Sequence, residues 1–253
     1  MTDRRIDVRT TDGTIDCYLF TPHDHGAWPT LIVYMDAFGI RPALAEMATR
    51  LASHGYFVIV PNLYYRTGPF APFDPRQVVA EGPERDRFKS MIMSISDTMV
   101  MRDTAAILEH LAQIPEAITT RMGALGYCMG GGFALSAAGT LPERIVAAAS
   151  FHGGSLATDK PDSPHLLAGA MRARLYIGVA EVDPSFSASQ RERLERALDE
   201  AGVEYTLEIY PGAKHGFAVT GHLVYDRDAS ERHWTRMLQF FRETLSSAHA
   251  AGV

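Results

Sequence analysis

Short, nearly unbroken apolar runs that alternate with helix-like stretches fix what this chain can fold into. Residues 30–35, TLIVYM, have the texture of a strand covered on both faces. Residues 41–54 follow, with Leu44, Met47 and Leu51 at helical spacing and Gly55 where a helix would stop. YFVIV at 56–60 reads as the next strand, and RMGALGY leads into another that ends at a cysteine. GGGFALSAAG then reads as a helix, and RIVAAASF and RLYIGVA as two further strands. Residues 187–202 form a marked helix: Ser187 and Gln190 give a capping-box pattern, Leu194, Ala197, Leu198 and Ala201 a stripe, and Gly202 the stop. EYTLEIY at 204–210 is the last strand, and Trp234, Leu238, Phe241 and Leu245 mark the buried face of a final helix. Two strand candidates, IDVRT and TIDCYLF, precede all of these and turn at Asp12-Gly13. Such alternation predicts one α/β domain over 1–253, with a mostly parallel central sheet and helices on both faces.

One segment breaks the rhythm. Residues 61–90 carry five prolines and several aromatics before a helix begins near Ser90. Long loops inside compact domains are uncommon and often functional. This one is either a surface excursion whose aromatics pack on the body or the rim of a pocket.

Composition excludes several classes. A formal net charge of −6, with Lys and Arg scattered, leaves no footprint for nucleic acid or an anionic membrane. No apolar run approaches the roughly 20 residues of a membrane span, and the first residues lack the apolar core of a signal peptide. Two cysteines, Cys17 and Cys128, are too few for a disulfide framework. A reduced, cytoplasmic chain is the simplest expectation, and the sequence is compatible with a monomer or a small homo-oligomer.

Cys128 sits in Gly126-Tyr127-Cys128-Met129-Gly130, the G-x-S-x-G spacing of a nucleophile elbow with cysteine in the serine position. The glycines have a physical purpose. The central residue stands in a strained strand-to-helix turn, where a Cβ two positions either side would strike backbone. The helix N-terminus also favours thiolate over thiol. The bland alternative is a small-residue turn around an inert thiol.

A nucleophile needs a base and a group to orient it. Downstream, Asp183 stands just past one strand candidate and His215 just past the next, the nucleophile–acid–histidine order of α/β-hydrolases. In a parallel sheet both loops emerge at the carboxyl edge. His152, in SFHGG, also follows a strand and is expected near the pocket, while His54, His110 and His233 fall in helical segments. No pair shows zinc spacing, so no metal and no cofactor are expected.

GYCMGG, DP after one strand and KHGF after the next resemble the dienelactone hydrolase family of α/β-hydrolases. VYMDAFGI around residue 36, PNLYYR at 61–66 and FHGG at 151–154 extend the likeness in order along the chain. The resemblance implies an α/β-hydrolase fold, a Cys128–His215–Asp183 triad and a thioester acyl-enzyme. It also implies an oxyanion hole from the backbone N–H groups of Met129 and Ala37. The family usually carries Glu at the position of Asp36, pairing with the resting thiol, so Asp36 is the implied thiol-gating carboxylate. Enzymes acting on dienelactone hold its carboxylate with two arginines; Arg85 matches one, whereas Val219 stands in place of the other. With Tyr64 and His152 as further substrate-binding candidates, a less charged small-molecule ester or lactone is the expected substrate. A thioester or organophosphate substrate at the same site is the enzymatic alternative. A non-catalytic relative that binds ligands or senses oxidants through Cys128 is the other.

Overall fold

The computed structural model describes residues 2–245. A hairpin opens it: β1 (Thr2–Thr10) and β2 (Gly13–Thr21) pair antiparallel. Then come β3 (Trp28–Tyr34), α1 (Pro42–Ser53) and β4 (Phe57–Pro61). After helices α2 (Pro83–Met93) and α3 (Asp97–Leu111), the chain runs through β5 (Ala117–Tyr127), α4 (Met129–Thr140) and β6 (Ile145–Phe151). It finishes with β7 (Arg174–Val182), α5 (Ala188–Ala201), β8 (Tyr205–Lys214) and α6 (Arg227–Leu245). The eight strands form one sheet in the order β1-β2-β4-β3-β5-β6-β7-β8. All neighbours from β4 to β8 are parallel, and only the pairings of β2 are antiparallel. Helices cover both faces.

The central strands are buried as their sequence demands: the side chains of Leu31 to Tyr34 and Phe57 to Val60 are enclosed. At α5 the Ser187 hydroxyl accepts from the Gln190 N–H at 3.3 Å and Gly202 closes the helix at φ 67°. Leu194 and Leu198 are its buried residues, while Ala201 faces solvent. On α6 the buried face runs through Trp234, Met237, Phe241 and Leu245, and Leu238 is only half-buried. α2 begins at Pro83, ahead of the start expected near Ser90. The helix expected near Ser90 is two helices, because Ser94–Ser96 break the run and Ser96 caps α3 by accepting from the Met99 N–H at 3.3 Å.

Within 61–90 the aromatics turn inward. Phe73 is buried, stacks edge-on against Phe88 at 5.1 Å and lies under the Arg87 guanidinium at 3.9 Å. Tyr64 is fully buried against Phe70. These contacts favour the packing role of the segment over a pocket rim.

Candidate active site

The carboxyl edge of the sheet gathers the chemistry through register. Tyr127 pairs with Phe151, so Cys128 and His152 leave the sheet at one level. Val182 pairs with Lys214, so Asp183 and His215 do the same one strand pair further on. Cys128 has φ 56° and ψ −120°, a conformation that costs a non-glycine residue energy. The flanking glycines are obligatory. A Cβ on Gly126 would lie 1.8 Å from the Gly130 carbonyl oxygen, and one on Gly130 would lie 2.4 Å from that of Tyr34.

His215 Nδ1 lies 2.7 Å from Asp183 Oδ2. Asp183 Oδ1 accepts from the Ser185 N–H at 2.9 Å and from its hydroxyl at 2.6 Å. Burial opposes the charged imidazole, but Cys128 and Asp183 outweigh it and raise His215 to about 10. Burial pushes the Asp183 carboxyl up, and its bonds to His215 and Ser185 overcome this and hold it below the usual carboxylate range. Ser185 is a site residue that the sequence reading missed; its position two after Asp183 is the signature of an Asx turn.

A cavity of about 350 Å³ opens over this group, lined among others by Ala37, Cys128, Met129, Ser185 and His215. Met129 is the first residue of α4, where N–H groups have no partner inside the helix. Ile92, Ile95, Asp97 and Phe133 also line it, with Thr158, Lys160 and Ser163 of the loop after β6.

The other expected site residues lie as follows. Asp36 is buried and gripped by Arg41, with Nη1–Oδ1 at 2.6 Å and Nη2–Oδ2 at 2.7 Å. His222 Nε2 stands 3.3 Å from Asp36 Oδ2. Burial would raise this carboxyl, but His222 and Arg41 hold it down at about 2. Arg41 and His222 are thus the side chains that hold Asp36, and the sequence reading singles out neither. Tyr64 donates to the Ala37 carbonyl oxygen at 3.0 Å and so braces the segment after β3. The Arg85 guanidinium reaches the Val79 carbonyl at 3.3 Å, and Val219 is buried in the core. None of Asp36, Tyr64, Arg85 or Val219 lines the cavity. His152 is buried at φ 39° with its ring 5.2 Å from that of His215, and neither ring nitrogen has a partner. Burial keeps it neutral. Among the described residues no group of three or more His, Cys, Asp or Glu is arranged to hold a metal.

A mostly parallel sheet with helices on both sides, an elbow between β5 and α4, and Asp183 and His215 after adjacent strands is the layout of an α/β-hydrolase. Solved structures agree on the fold. One titled "Crystal Structure of Putative Dienelactone Hydrolase from Klebsiella pneumoniae subsp. pneumoniae MGH 78578" superposes with a TM-score of 0.84 at 24% identity, covering 96% of this chain and 98% of that one. A dienelactone hydrolase-like promiscuous phosphotriesterase from metagenomic libraries gives 0.78 at 23%, with the same coverages. In sequence, the chain is 28% identical over 250 residues to a Synechocystis sp. protein named "Putative carboxymethylenebutenolidase", covering 95% of this chain and 99% of that protein. Residues 15–245 match the dienelactone hydrolase family, to which the chain belongs. It is accordingly a carboxylic ester hydrolase. No helix among the described residues is long and apolar enough to cross a membrane.

Proposed function

We propose that the protein hydrolyses small esters or lactones through Cys128 as nucleophile, His215 as base and Asp183 as the group that orients it. The observation that carries this reading is the 2.7 Å contact between His215 Nδ1 and Asp183 Oδ2, with Cys128 and His215 lining one cavity. Asp183 fixes Nδ1 as the protonated nitrogen and leaves Nε2 to face the thiol. His215, raised to about 10, already holds the thiol proton on Nε2 while Sγ adds to the carbonyl carbon. The carbonyl oxygen becomes an oxyanion, for which the N–H groups of Met129 and Ala37 are the donors, each typically worth about 10²–10³ in rate. Collapse breaks the bond to the alcohol oxygen, which takes the proton from Nε2, and a thioester is left on Cys128. Water then adds to the thioester with His215 again as base, and the acid and the free thiol are released.

The lining supports a substrate without a carboxylate handle. Among the described residues no arginine lines the cavity and its lysine, Lys160, is exposed, while Arg85 is engaged elsewhere and Val219 is in the core. Release of p-nitrophenol from p-nitrophenyl acetate tests the reading, with wild type beside Cys128→Ala. The variant should fold, by circular dichroism, and lose at least about 10³-fold in kcat/KM. Equal rates would overturn the assignment.

A further inference from the structure

One wall of the cavity carries a carboxylate that no basic side chain neutralises. Asp97 opens α3 and shares the lining with Ile92, Ile95 and Phe133. Its Oδ2 accepts from the hydroxyl of Ser136, a buried residue of α4, at 2.9 Å. The contrast with the other enclosed acids is plain. Asp36 has Arg41, Asp103 has Arg66 and Asp183 has His215, whereas no ion pair joins Asp97 among the described residues. Nor is Asp97 needed as a cap, since Ser96 already fills that role for α3.

The only positive potential its own element gives Asp97 is the partial charge at the N-terminus of α3, where it sits in the first turn. Lys160, the lysine of the cavity lining, is exposed, and no ion pair joins it to Asp97 among the described residues. Burial, with Asp162 adding negative potential, outweighs the Ser136 bond and pushes the Asp97 carboxyl up to about 6. A partly desolvated carboxylate beside apolar side chains is costly unless something pairs with it, and here the open side is the substrate's.

We propose that Asp97 is a specificity-determining residue that receives a cationic group of the substrate, so that ammonium-bearing esters are preferred over neutral esters of the same shape. The proposal rests on the reading that the cavity over Cys128 is the catalytic one. It narrows the substrate class, because an anionic group would meet two carboxylates, Asp97 and Asp162, against the exposed lysine Lys160.

Acetylcholine and 3,3-dimethylbutyl acetate serve as probes, since they share a shape and differ in one positive charge. Binding is measured by calorimetry on full-length Cys128→Ala at pH 8, so that turnover does not intervene. It is then repeated on Cys128→Ala/Asp97→Asn and on Cys128→Ala/Asp97→Ser, a second charge-free variant. The cationic ester should bind about tenfold more tightly to Cys128→Ala, and either second substitution should bring the ratio to within about twofold. Equal affinities in Cys128→Ala, or a preference that survives both substitutions, would overturn the proposal. Wild-type turnover of the same pair separates the two readings. A binding preference without ester cleavage upholds the role of Asp97 and counts against the hydrolytic assignment. Cleavage of both esters with no preference does the reverse.

Discussion

Cys128, His152 and Ser155 are the non-glycine residues with positive φ among those described. Cys128 and Ser155 line the cavity, and the His152 ring touches His215. Strained backbone is thus confined to the site, where it fixes the direction of a side chain at a cost to stability. Asp97 is a second local cost, and its sign follows from its titration. Folding raises its carboxyl from 3.8 to about 6, so its favourable contribution is complete below pH 3.8 and is lost as pH rises through 6. At pH 8 the charged group disfavours folding by on the order of 1–2 kcal/mol, discounted for partial exposure. Asp97→Asn should therefore raise Tm at pH 8 by a few degrees, about 3–6 °C, with the gain vanishing near pH 4. Calorimetric melting at both pH values checks this, and a lower Tm at pH 8 would mean that the carboxylate serves the fold.

At the scale of elements, the β5–α4 elbow holds the glycine with the least room for a Cβ among the described residues. Gly126→Ala would push a Cβ against backbone with no flexible side chain to give way, so the strand and the helix would have to separate. The expected outcome is a Tm at least about 10 °C lower, or no soluble protein. Gly169→Ala, where nothing lies within 4 Å of the added Cβ, is the control and should melt like wild type. The elbow was legible in the sequence because its requirement is local: two glycines, an apolar run before and a helical run after. The placement of Asp183 and His215 at the sheet edge was legible for a similar reason, since each follows its own strand. The α2–α3 break was harder to see, because three residues, Ser94–Ser96, decide it. His222 was not legible at all: it meets Arg41 and Asp36 from 181 and 186 positions away, and only the tertiary path brings it there. Arg41, five positions from Asp36, is a local partner that no motif marks. Arg85 and Val219 teach the converse, for a matching sequence position did not bring either to the cavity.

The whole molecule stores its acid sensitivity in buried imidazoles. Burial lowers His233 from 6.5 to about 3, and burial also drives His152 well below its ordinary value. Each is enclosed neutral, so stability present above pH 6.5 falls as acid protonates the unfolded chain, by about 1.4 kcal/mol per pH unit per group. Asp36 adds a further loss as pH falls from 3.8 through about 2. His152→Phe removes ring nitrogens that have no partner, and its acid-unfolding midpoint should move to lower pH. Fluorescence-monitored acid titration, normalised to each protein's stability at pH 8, makes the comparison. An unmoved midpoint would place the acid sensitivity elsewhere.

The cavity walls and the proposed reacting groups come from different stretches of chain. Cys128, Asp183 and His215 stand at strand ends locked by register, whereas the walls are built from residues 92–97, Phe133 and the loop spanning 154–164. A lineage can therefore redraw most of what the enzyme accepts without touching how it cuts. Substitutions in those two wall segments leave the sheet register alone, so selection can explore new substrates there while the strained elbow is inherited whole.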